Sequence, residues 1–117
     1  MTKIAPKKLA KRVIKLIWRK KADDIVLLNL KKISNIADYF VICSVSSGIQ
    51  ARVVADVVTE ELKKKGISFN VEGYQSPHWI LIDSFNVVVH VFQPETRDFY
   101  GLEKFWGDAP REEYPDG

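Results

Sequence analysis

Hydrophobic positions follow two different periods along this chain. Leu9, Val13, Leu16 and Ile17 recur at helical spacing after Pro6, while Lys7, Lys8, Lys11, Arg12 and Lys15 fill the other faces, so an amphipathic helix is expected over 6–21. The period then changes. Ile25-Val26-Leu27-Leu28-Asn29-Leu30 is a short apolar run bounded by charge, as a strand buried on both faces would be, and Tyr39-Phe40-Val41-Ile42-Cys43 is a second strand. Ser47 is placed to accept from the backbone amide of Gln50 while the Gln50 side chain reaches back, which predicts a helix start. Val54, Val58 and Leu62 form one apolar row of that helix and Ile49, Val53 and Val57 a neighbouring one, a broad stripe for packing on a sheet. Lys63, Lys64 and Lys65 suit the negative end of its dipole, and Gly66 the left-handed residue that ends it.

Three more strands are expected, over Ser68–Val71, Trp79–Asp83 and Val87–Phe92, the last two as a hairpin. A three-residue loop, Ser84-Phe85-Asn86, would place Trp79, Leu81, Asp83, Val87, Val89 and Val91 on one face and Ile80, Ile82, Val88, His90 and Phe92 on the other. Pro94 opens a last helical segment in which Phe99, Leu102, Phe105 and Trp106 stand at roughly helical spacing, broken or kinked near Gly101. From 107 onward two prolines, two glycines and four acids signal a tail. We therefore expect one domain over 1–109 and a disordered acidic tail over 110–117.

Composition narrows the class. The 117 residues, 46% hydrophobic and 28% charged, suit one folded α/β domain and leave no room for a separate substrate domain. Cys43 is the sole cysteine, so no internal disulfide forms, and no Cys/His spacing fits structural zinc. No apolar run approaches the length of a membrane span. Charge is uneven: nine of the 18 Lys and Arg lie in residues 1–21, where there is no acid, whereas from Glu95 onward seven acids face three bases. The basic head is either a solvated helix face or a contact for RNA, with Lys7, Lys11 and Lys15 as its candidates.

Catalytic motifs are scarce. The glycines have neither P-loop nor dinucleotide-binding spacing, and no Asp-x-Asp, Asp-x-Glu or Glu-x-Glu offers paired carboxylates for two metals. Cys43, in an apolar strand, is expected to be an inert core thiol, though its place just before the Ser47 helix keeps a reactive role open. His90, between Val89 and Val91, suits a hydrogen-bonded sheet histidine better than a catalyst, and in the register above it faces away from Asp83, which disfavours a metal site with His78. Glu72-Gly73 serves at least to end a strand and turn the chain. Trp79, entered through Ser76-Pro77-His78, is either a core residue or an interface anchor accessible at one edge, beside Glu72 and Arg97.

The order of these segments is what becomes specific. Asp24-Ile25-Val26, Asp38-Tyr39-Phe40-Val41-Ile42-Cys43-Ser44, Ser47-x-x-Gln50, Glu72-Gly73, Trp79-Ile80-Leu81-Ile82-Asp83, Val87-Val88-Val89-His90-Val91-Phe92 and Arg97-x-Phe99-Tyr100-x-Leu102-Glu103-x-x-Trp106 together resemble the ribosomal silencing factor, or Iojap, family over about residues 7–109. The resemblance implies a mixed five-stranded sheet flanked by helices, with the shape of a nucleotidyltransferase but without its catalytic carboxylates. It implies a regulator with no catalysis and no cofactor, which binds ribosomal protein fourteen of the large ribosomal subunit, blocks joining of the small subunit and lowers translation when nutrients are scarce. It also implies a homodimer when free and, with no separate presequence, the cytoplasm of a bacterium in preference to an organelle. Trp79 matches the family's partner-binding tryptophan, and Glu72, Asp83, His90, Arg97, Tyr100 and Glu103 match motif positions divided between contact and scaffold. Val45 departs from the pattern, which often has Gly there; Gly48 would then supply the flexibility. The rival reading is a divergent phosphoryl transferase with Asp38, Asp83 and Glu72 around a metal.

Overall fold

The structure, a computed structural model, describes residues 4–114. Pro6 starts helix α1 (Pro6–Arg19), which leads through a tight turn into strand β1 (Asp23–Asn29) and then β2 (Tyr39–Ser44). Helix α2 (Gly48–Lys64) follows, then β3 (Asn70–Glu72), β4 (Trp79–Asp83) and β5 (Val87–Phe92). Helices α3 (Pro94–Tyr100) and α4 (Leu102–Phe105) and strand β6 (Arg111–Tyr114) complete the chain. The strands form one mixed sheet in the order β3-β4-β5-β2-β1-β6, with β2 and β5 parallel and every other pair antiparallel.

Its sixth strand overturns the expectation of a disordered tail over 110–117. Arg111–Tyr114 pair with Leu28–Ile25 of β1, and Ala109 just before them is buried; residues 115–117 lie outside the described residues. The physical reason is the free edge of β1, whose amides and carbonyls need partners. Lys11 of α1 adds a 2.7 Å ion pair to Glu112 and a 2.6 Å hydrogen bond to the Tyr114 hydroxyl. A polar, acidic segment thus gains order from partners about a hundred residues away, which local composition cannot register.

One sheet face is aliphatic and closed. Ile25, Leu27, Val41, Cys43, Ile80, Ile82, Val89 and Val91 pack beneath α1 and α2 with Leu9, Val13, Ile17, Val54, Val58 and Leu62. The broad α2 stripe is narrower than expected. Burial runs through Ala51, Val54, Ala55, Val58 and Leu62, whereas Ile49 and Val53 of the second row are exposed, because the row bearing the small alanines gives the closest approach to the sheet. Ser47 accepts from the Gln50 amide at 3.1 Å as expected. The Gln50 side chain accepts from Ser46 and donates to the carbonyls of Lys20 and Lys21, tying the start of α2 to the end of α1.

The β4–β5 hairpin corrects the expected faces. Trp79 pairs with Phe92, Leu81 with His90 and Asp83 with Val88, so Trp79, Leu81, Asp83, Val88, His90 and Phe92 share one face. Ser84 pairs with Val87 through a 3.1 Å amide bond, leaving Phe85 and Asn86 as a two-residue turn in which Phe85 has φ 73°. A loop one residue shorter than expected shifts the register by one, and a shift of one moves every β5 side chain to the other face relative to β4.

Candidate functional site

Trp79 begins β4, and the chain ahead of it determines how it arrives. Gly73 has φ 84°, and a Cβ there would stand 2.1 Å from the Trp79 carbonyl oxygen, so the turn after Glu72 admits glycine alone. Arg52 of α2 pins the following loop by donating to the carbonyls of Tyr74 (2.9 Å) and Gln75 (3.0 Å), and the Tyr74 hydroxyl donates to Asp56. Pro77 then seats against Gly48, where a Cβ would meet the proline Cγ at 2.8 Å. Gly48 therefore serves close packing. Its φ is not positive, so it does not supply the flexibility expected of it; Val45 is simply buried in the core.

Trp79 lies half-buried among aromatics. Its ring is 4.8 Å from that of Phe92 and 4.8 Å from that of Tyr100, and its indole N–H donates to Nδ1 of His90 at 3.1 Å. His90 contacts Phe40 edge-on at 4.5 Å. Burial holds the His90 imidazole far below its ordinary value, to about 3, so it is neutral near pH 7. The register correction matters here, because it brings His90 to the side of Asp83 and Trp79. Even so, no three His, Cys, Asp or Glu side chains gather among the described residues, and Asp38, Asp83 and Glu72 form no such centre. Asp83 instead accepts the Phe85 amide at 2.8 Å, shaping the hairpin turn. Burial pushes the Cys43 thiol up to about 12, which leaves it protonated and inert.

The C-terminal segment crosses the same face without covering it. Gly101, at φ 57°, ends α3 and resets the helical phase for α4. After that break Leu102 and Trp106 turn inward against Val88, Phe92 and Phe40, while Phe99 is 82% exposed, Phe105 75% and Tyr100 54%. The four positions at roughly helical spacing therefore split into two packing residues and two exposed ones. The break at Gly101 was the signal in the sequence that this stripe would not be continuous.

Arg97 and Glu103 serve the scaffold. Arg97, buried, forks onto both oxygens of Glu103 at 2.8 and 3.2 Å and donates to the Ser44 hydroxyl at 2.7 Å. Arg111 adds a 3.2 Å contact to Glu103, so α3, α4 and β6 meet at one carboxylate, while Arg97 links them to β2 through Ser44. The Arg97 hydrogen bond holds the Glu103 carboxyl below the usual carboxylate range. Glu72 is different: it is exposed, stands opposite Leu81 on β3 and so faces the aromatic side. Of the residues singled out in the sequence, Trp79, Tyr100, Glu72 and Asp83 thus share one surface, with Arg97 and Glu103 bracing it. Lys7, Lys11 and Lys15 are elsewhere, exposed on α1 over the opposite sheet face, and Lys11 is held by Glu112.

Fold and face together define an α/β domain with one sealed layer and one open aromatic surface. No helix is long and apolar enough to cross a membrane among the described residues. The chain belongs to the ribosomal silencing factor family: residues 3–116 match the family described as ribosomal silencing factor during starvation. It is 47% identical over 92 residues to the ribosomal silencing factor of Halalkalibacterium halodurans, covering 78% of this chain and 79% of that one. It is 42% identical to the same factor of Bacillus subtilis, covering 78% of each chain. A crystal structure of a Chromobacterium violaceum protein superposes with a TM-score of 0.85 at 30% identity, covering 89% of this chain and 88% of that one.

Proposed function

We propose that this chain silences ribosomes by occupying the large subunit through its aromatic sheet face, docking on ribosomal protein fourteen, and obstructing the small subunit when nutrients are scarce. The observation that carries this reading is the open surface of Trp79, Tyr100, Phe99 and Phe105 in a member of this family. Aromatic side chains anchored on a rigid frame are the usual energetic centre of a protein interface. Glu72 and Asp83 on the same side supply negative charge suited to a basic ribosomal protein. A body of 38 × 32 × 27 Å is large enough to exclude the small subunit by occupancy, with no chemistry and no cofactor. The bacterial relatives suit a setting in the bacterial cytoplasm.

Sedimentation tests it directly. Purified protein added to separated subunits is expected to comigrate with the large one and to reduce the peak of joined ribosomes in proportion to its amount. Comigration with neither subunit, or with the large one while joining is unchanged, defeats the proposal. Lys7 and Lys15 remain candidates for a peripheral contact with ribosomal RNA, and reversing their charge then flattens the salt dependence of binding. The exposed Phe99 and Phe105 also give free protein a means of pairing with a second copy. Sedimentation of free protein across a concentration series reads that homodimer.

A further inference from the structure

We propose that His90 is a positioning residue for the binding face, its Nδ1 holding the indole of Trp79 in the single orientation that a partner meets. The inference rests on the reading of Trp79 as an interface anchor. His90 is 3% exposed, and its ring is enclosed by Phe40 at 4.5 Å, Trp79 at 5.9 Å and Phe92 at 6.0 Å. Among the described residues its Nε2 has no hydrogen-bond partner. A histidine kept only for packing would be better replaced by an apolar side chain, because a buried polar atom without a partner loses its hydration and gains nothing for it. Among the described residues, the one polar contact the imidazole makes is the 3.1 Å bond from the Trp79 indole N–H.

That bond dictates a chemical state. For Nδ1 to accept, it must carry no proton, so the imidazole is neutral with its hydrogen on Nε2. Burial keeps it neutral across the physiological range. With its N–H directed inward, the indole offers ring carbon to the outside, stacked on Phe92 and tilted against Tyr100, each at 4.8 Å. Fixing a large side chain before docking removes the ordering cost from the binding step, an effect on the order of two- to tenfold in affinity.

The test uses the full chain, large ribosomal subunits and three variants: His90→Leu, His90→Asn and Trp79→Ala. Leu removes the acceptor and the orphan nitrogen together, so the variant is expected to melt at or above the parent temperature. Its Trp79 indole N–H should lose protection from solvent exchange, and its affinity for the subunit should fall about two- to tenfold. Asn places an amide oxygen near the position of Nδ1 and should restore the protected N–H and most of the affinity. His90→Leu binding as tightly as the parent, with its indole N–H released, overturns the proposal. Should that variant fail to fold, the imidazole nitrogen spectrum of the parent decides, since a proton on Nδ1 is incompatible with the bond. Trp79→Ala binding like the parent would instead overturn the anchor reading itself, and is distinguished by a parent indole N–H that is still protected from exchange.

Discussion

The two faces of the sheet are built from alternate residues of the same strands and yet behave as different materials. Under α1 and α2 lie Val, Ile and Leu with almost no polar atom, closed by two helices. On the other side Phe40, His90, Phe92, Trp79 and Trp106 are crossed by two short helices that leave Trp79 and Leu81 half-covered and Phe99, Tyr100 and Phe105 in solvent. Aliphatic packing gives stability through dense contact, while aromatic surface with a buried polar atom sacrifices some of it for recognition. The first face holds the fold, and the second is available for work.

Neighbouring residues of β4 give the sharpest way to break this contrast. Ile80 is fully buried on the helix side, so Ile80→Ala should cost about 4 kcal/mol in denaturant unfolding. Leu81→Ala, half-buried on the aromatic side, should cost less than half as much; equal losses would mean that the two faces are equivalent cores. Trp79→Ala should reverse the ranking in binding, weakening the large-subunit complex by about 3 kcal/mol, or more than a hundredfold, with the fold retained by circular dichroism. A variant that unfolds instead would make Trp79 a core residue.

The buried His90 yields a pH-dependent difference, modest within any one pH unit. The unfolded chain protonates this imidazole near 6.5, whereas the folded chain resists until about 3. Protons therefore favour the unfolded state between those values, and the contribution is intact above 6.5. Stability should fall by about 1.4 kcal/mol per pH unit on acidification through that window, from this residue alone. Urea midpoints for the parent and His90→Leu should diverge on acidification, and parallel curves would contradict the neutral, buried assignment. Least of all should be Lys11→Ala, an exposed ion pair to Glu112 worth about 0–1 kcal/mol. Its useful readout is faster amide exchange over Arg111–Tyr114, since the lysine helps hold β6 to the domain.

Much of this was legible in the chain because the signals were local. Helix α1, both central strands, the Ser47 cap, the left-handed Gly66 and the break at Gly101 each follow from residues within a few positions of one another. The hairpin faces were not, because the register turned on whether Ser84 belonged to the loop or to the ladder. That choice depends on a turn conformation at Phe85 that an aromatic residue seldom adopts. Strand β6 was missed because its order comes from β1 and Lys11.

Of the candidate site, residue type and context singled out Trp79, and the family resemblance added Tyr100, but neither divided contact from support. Phe99 and Arg97 are two positions apart, and nothing local says that one is 82% exposed while the other is buried under a bidentate carboxylate. Hydrophobic periodicity and capping chemistry are properties of short windows, so the chain by itself determined which elements form, and in what order, as far as the helical segment opened by Pro94. Register, the ordered tail, the Arg97–Glu103 brace and the His90–Trp79 bond depend on groups far apart in sequence. Their energies exist only once the sheet has brought those groups within hydrogen-bonding distance, so the tertiary structure alone decided which face stays open.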